Sequence, residues 1–185
     1  AATLIQIFPS LAHPIWFVPA FLIGACIGSF LNVVIYRVPL GLSVNEPKRS
    51  FCPKCKSEIP MRLNIPLVSW LWLRGKCSNC RAPISFRYFA VELLTALLFA
   101  AIWWFLRDSL PLGSILKPEL AVVLPLWLMI SLFVAITFID AEHMVIPLSF
   151  TTVLSFAGLG AAALWPKLPD MAGWASMDPL IADGL

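Results

Sequence analysis

RVPLGLSVNEPKRSFCPKCKSEIPMRLNIPLVSWLWLRGKCSNCRAPISFR, residues 37–87, is a polar, basic insert flanked by apolar runs long enough to cross a bilayer. Ten of the chain's thirteen Lys and Arg residues lie in it. Loops rich in Lys and Arg stay on the cytoplasmic side of a membrane. The insert therefore predicts the orientation of everything else: N-terminus outside, insert inside. The 185 residues are 60% hydrophobic and 12% charged, against about 45–50% and 25% in soluble domains. The mean hydropathy is +0.88. These values predict an all-α integral membrane protein. The net charge of +3 is gathered in one loop, so it reads as topology and not as a nucleic-acid footprint.

Working outward, Ile15 to Ile35 forms a first span of roughly the 20 residues a bilayer needs. Gly24 and Gly28 give it a small-xxx-small face for close helix approach. Cys26 reads as a small packing residue there. On the other side of the insert, Tyr88 to Leu106 is a second span, and Arg107, Asp108, Pro111 and Gly113 predict an outside turn. Leu120 to Ile139 is a third span, interrupted at Pro125, and Leu148 to Trp165 a fourth. The expected division is 1–36, first span with outside N-terminus; 37–87, cytoplasmic insert; 88–165, three spans carrying Asp140; and 166–185, an outside loop. The architecture is thus a polytopic helical bundle of about four spans.

Within the insert, Cys52-Pro-Lys-Cys55 and Cys77-Ser-Asn-Cys80 are separated by twenty-one residues. Each pair offers two thiolates from one tight turn, and two such turns close a tetrahedral shell around zinc. Cys52, Cys55, Cys77 and Cys80 are therefore the candidate metal ligands. With all four positions filled by sulfur, the site is structural. A redox dithiol is the alternative reading, and it leaves the second pair without a use.

Asp140 stands at the inner end of the third span, in Asp140-Ala-Glu-His-Met-Val-Ile-Pro147. On spacing alone it can be an interface charge, a cap for the next helix, or a functional carboxylate. Aspartic-protease chemistry needs two carboxylates sharing a proton. Glu142, two residues on, would point away from Asp140 along a helix. Glu92, one turn into the second span, reads most simply as a snorkelling or paired interface charge beside Arg87.

Taken together, the motifs resemble those of the bacterial type IV prepilin peptidases. The matching segments are Gly28-Ser-Phe-Leu-Asn-Val-Val-Ile-Tyr-Arg-Val-Pro39, the two cysteine pairs, Asn64-Ile-Pro-Leu-Val-Ser-Trp70, Pro83-Ile-Ser-Phe-Arg-Tyr-Phe-Ala-Val-Glu-Leu-Leu-Thr-Ala96 and Phe138-Ile-Asp-Ala-Glu-His-Met-Val-Ile-Pro147. They run in order from about residue 24 to 160. The resemblance implies an intramembrane aspartic endopeptidase of the GxGD type in the bacterial inner membrane. Such an enzyme removes the basic leader of prepilins and pseudopilins at the cytoplasmic face. It also implies N-methylation of the new N-terminus with S-adenosylmethionine as methyl donor. Asp140 falls in the place of the first catalytic aspartate. Arg87 and Glu92 lie in the family signature and are candidates for the methyl-transfer or leader-contact region. The implied partners are prepilins, pseudopilins and membrane lipid.

Two departures stand out. Leu148 sits where the family commonly has Asp or Asn, and no GxGD sequence occurs in the 185 residues. The chain is therefore expected to be the N-terminal portion of such an enzyme, inactive as a peptidase by itself. A non-catalytic membrane adaptor with a zinc knuckle is the competing reading.

Overall fold

The computed structural model describes residues 14–46, 49–52, 54–106 and 118–164. Five helices order the described chain: α1 Phe17–Arg37, α2 Val68–Trp72, α3 Phe86–Leu106, α4 Pro118–His143 and α5 Leu148–Leu164. Single 3-10 turns at Pro14–Trp16 and Met61–Leu63 complete them. No strand forms among the described residues, and the only extended pairing there is two isolated bridges in the insert. Three helices are long and apolar enough to span a membrane: α1, α3 and Val123–His143 of α4. Helix α5 is a shorter apolar helix of 17 residues. The expected outside turn around Arg107–Gly113, and the tail after Trp165, lie outside the described residues.

Helices α1 and α3 run antiparallel and meet at the two glycines. A Cβ on Gly24 would lie 2.8 Å from Ala96 Cα, and one on Gly28 would lie 2.7 Å from Glu92 Cα. Only hydrogen fits between these backbones, which is what a small-xxx-small face provides. In hydrocarbon the tails are as apolar as Leu, so association rests on such packing. Helix α4 closes the bundle through two clusters. Leu31, Ile35, Val91, Val134, Ala135 and Ile139 form one. The other is Ala20, Phe99, Trp103, Val123 and Trp127. In the second, Phe99 and Trp127 stack at 4.7 Å, and the Trp127 Nε1–H donates to the Phe99 carbonyl at 3.2 Å.

Three expectations are corrected here. Helix α4 continues through Pro125. Proline removes one backbone donor, and neighbouring helices and local adjustment make that tolerable in a membrane span. The third span also runs on to His143, so Asp140 lies in its last turn and does not cap the next helix. Cys26 is exposed, not packed. Its neighbour Ala25 takes the inward position, and a step of one residue turns the next side chain about 100° away.

The inner end of α1 is held by its own last residue. Arg37 is buried, and its Nη1 donates to the carbonyls of Ser43 and Val44, each at 3.0 Å. The buried guanidinium folds the following turn back on the helix.

Candidate metal centre and the Asp140 end

Two turns with the same hydrogen-bond pattern build the cysteine site. In the first, the Lys56 N–H donates to the Cys52 carbonyl and the Cys52 N–H to the Ser57 carbonyl. In the second, the Arg81 N–H donates to the Cys77 carbonyl and the Cys77 N–H to the Ala82 carbonyl. The residue after each pair, Lys56 at φ 59° and Arg81 at φ 58°, takes the left-handed conformation that swings the chain back. An isolated antiparallel bridge then closes each turn, Phe51 with Glu58 and Lys76 with Pro83.

All five cysteines are free thiols, and the four sulfurs of the insert lie within 4.8 Å of one another. Cys52 and Cys80 are 3.9 Å apart, and Cys55 and Cys77 4.0 Å. Zinc–sulfur bonds of about 2.3 Å in a tetrahedron put sulfurs roughly 3.8 Å apart. Those two spacings match a tetrahedral zinc shell, so the cage suits zinc. The close approaches cross from one turn to the other, which suits one shared ion better than two separate dithiols.

The surroundings favour thiolate at two of the four. The Ser57 hydroxyl, 3.0 Å away, and the Ser57 backbone pull the Cys55 thiol down to about 6. The backbone N–H groups of Cys80 and Asn79 lower Cys77, with Asn79 donating at 3.4 Å. Cys80 is pushed up to about 11: an Ala82 backbone hydrogen bond favours its thiolate, but desolvation and the three neighbouring sulfurs outweigh it. Like charges in one site ionise in succession. A divalent cation is what lets all four shed their protons together.

The insert is docked on the bundle by a contact that the sequence does not announce. Glu92, buried within α3, accepts the Leu67 N–H on Oε2 at 2.7 Å and also hydrogen-bonds Ser29 of α1. The expected snorkelling charge beside Arg87 is thus a buried acceptor, turned toward the insert because α1 closes its other side. Leu67 has φ 62° and ψ −51°, and Val68 N–H donates to the Pro66 carbonyl at 2.6 Å. That is the positive-φ γ-turn, a rare and strained conformation. Trp70 packs on Phe86 and Phe89 at ring distances of 5.6 and 5.2 Å, and Gly75 lies under its ring.

Arg87 reaches across to α4, where its Nη1 pairs with the Glu142 carboxylate, and its guanidinium covers the Tyr88 ring at 4.9 Å. Glu142 is thereby turned to α3, away from any role as proton-sharing twin of Asp140. Asp140 is exposed, and its carboxylate has no hydrogen bond or ion pair among the described residues. Its carbonyl accepts the Met144 N–H at 2.8 Å, closing the helix with Met144 at φ 52°. The structure therefore gathers the four cysteines into one site. It assigns Arg87 and Glu92 to two different structural contacts and leaves Asp140 open. Leu148 is exposed at the start of α5.

Residues 22–106 match the family model described as the bacterial peptidase A24 N-terminal domain. Curated relatives named prepilin leader peptidase/N-methyltransferase align over most of the chain. The one from Myxococcus xanthus is 44% identical over 83% of this chain and 42% of its own. That from Aeromonas hydrophila is 41% identical over 80% and 57%. That from Neisseria gonorrhoeae is 35% identical over 76% and 53%.

The chain is similar to the prepilin leader peptidases.

It spans about half the length of these curated relatives. No solved structure matches it. The matched region 22–106 contains α1 from Leu22 onward, the whole cysteine insert and α3. The Asp140 segment lies beyond it.

Proposed function

We propose that this chain forms part of an intramembrane aspartic endopeptidase. It would remove the basic leader from type IV prepilins and pseudopilins at the cytoplasmic face of the bacterial inner membrane, and methylate the new N-terminus. The observation that carries the reading is the placement of Asp140: an acid at the open end of a membrane-spanning helix, uncommitted, in a chain whose relatives are named as leader peptidases. In this reading the N-terminus faces outward, the insert of residues 37–87 faces the cytoplasm, and the leader meets Asp140 at the membrane edge.

Aspartic hydrolysis divides the work between two acids, one acting as base to a water and the other polarising the scissile carbonyl. Asp140 supplies one of them. Glu142 is held by Arg87, so the second acid comes from outside the described residues. Cys52, Cys55, Cys77 and Cys80 would hold zinc, which would give the insert its shape. S-adenosylmethionine supplies the methyl group. Arg87 and Glu92 are already engaged, Glu92 tying the insert to α3 and Arg87 tying α3 to α4, and no step is routed through them.

The test is Asp140→Asn in the full-length protein. Prepilin cleavage falls by about a thousandfold or more, while zinc content and thermal stability stay as they were. Cleavage that survives the substitution removes Asp140 from the mechanism.

A further inference from the structure

The segment between the two cysteine turns carries apolar side chains that cover nothing. Met61, on the 3-10 turn, and Trp72, at the end of α2, are each 81% exposed. Ile65, Val68 and Leu71 are exposed beside them. A cluster of this kind on a polar insert is a contact surface. Its backbone is not free to turn inward. Glu92 holds Leu67, the γ-turn redirects the chain there, and Trp70 is clamped between Gly75 and the rings of Phe86 and Phe89.

Two observations choose the occupant. Phe86 is the first residue of α3, so the Trp70 clamp sets the exposed side chains at the level where a membrane span begins, and Phe86 is itself exposed beside them. Between Ile59 and Cys77 the chain has three basic residues, Arg62, Arg74 and Lys76, all exposed, and no acidic one. Apolar side chains with Trp among them, rimmed by Arg and Lys at the boundary of a span, are the composition of an element lying in the headgroup layer of an anionic membrane. We infer that residues 61–74 form an interfacial foot, seated in the anionic lipid surface into which α1 and α3 insert.

The inference does not depend on the peptidase reading; it needs only that the spans lie in a bilayer. It is tested on the full-length protein in vesicles of phosphatidylglycerol and phosphatidylcholine, with bromines placed high in the acyl chains. The emission of Trp72 is isolated as the difference between the unaltered protein and Trp72→Phe, a substitution at an exposed site that leaves packing alone. Seated roughly 5–10 Å into the boundary layer, Trp72 loses about half its emission or more in the brominated lipid relative to plain lipid. Equal emission in both lipids overturns the inference. A second arm adds a peptide bearing an apolar helix: unchanged quenching supports the lipid, whereas release of Trp72 from the bromines overturns it in favour of a protein occupant.

Discussion

The α1–α3 crossing and the cysteine insert lie side by side and are held by opposite means. At the crossing, two backbones touch through Gly24 and Gly28, where only hydrogen fits between them. In the insert, where the buried apolar side chains are few, two hydrogen-bonded turns point four sulfurs at a common centre. The first solution works because lipid offers no hydrophobic drive and leaves packing to decide. The second works because a short segment outside the lipid cannot bury enough surface to fold on its own. A membrane helix is made by what is missing from its surface, and a small polar module by what it gathers.

The comparison breaks most sharply when the metal is withdrawn. Cys77→Ser, or treatment with a strong chelator, takes the protein from stoichiometric zinc to none and exposes residues 50–84 to protease. Helicity measured by circular dichroism barely changes, since α1, α3 and α4 do not use the metal. Collapse of the helical signal together with zinc would mean that the two regions fold as one.

The converse substitution is Gly28→Val. Its side chain meets the Glu92 backbone, which cannot move aside as a flexible side chain could. Overpacking of this kind costs about 3 kcal/mol, read as a lower denaturation midpoint of the bundle with zinc content intact. A neutral Gly28→Val would show that the helices are not in backbone contact.

Glu92 joins the two regions and gives the smallest and most local effect. Glu92→Ala leaves the Leu67 N–H without its acceptor, at about 1–2 kcal/mol. The loss is read as faster amide exchange at Leu67 and Val68, and Glu92→Gln, which keeps an acceptor oxygen, recovers most of the protection. Unaltered exchange in Glu92→Ala would remove the carboxylate as the tie between insert and bundle.

What the sequence discloses about this architecture follows the same division. Gly24 and Gly28, four apart in an apolar run, are legible because helical periodicity alone puts them on one face. The paired cysteines are legible because the ligand chemistry is written in a short spacing. Pro125 misleads, since proline rules learned in water overstate its effect in a packed membrane helix. The partners of Glu92 and Arg87 lie 25 and 55 residues away, and no local pattern specifies them. Leu67 is the least legible of all, because nothing in Pro66-Leu67-Val68 calls for a positive φ. Its conformation is imposed by the anchors on both sides. Asp140 is conspicuous in the sequence, and its setting at the exposed end of α4 comes from the helix running four residues past the expected boundary.

The two notches on α1 have a bearing on height as well as on grip. With Gly24 against Ala96 and Gly28 against Glu92, the helices mesh like a rack, and the next available setting is a four-residue slip of about 6 Å. No smaller adjustment exists. A bilayer that thins or thickens around the protein must therefore tilt or stretch the pair as a unit, so the vertical offset between Arg37 and the base of α3 is quantised, not elastic.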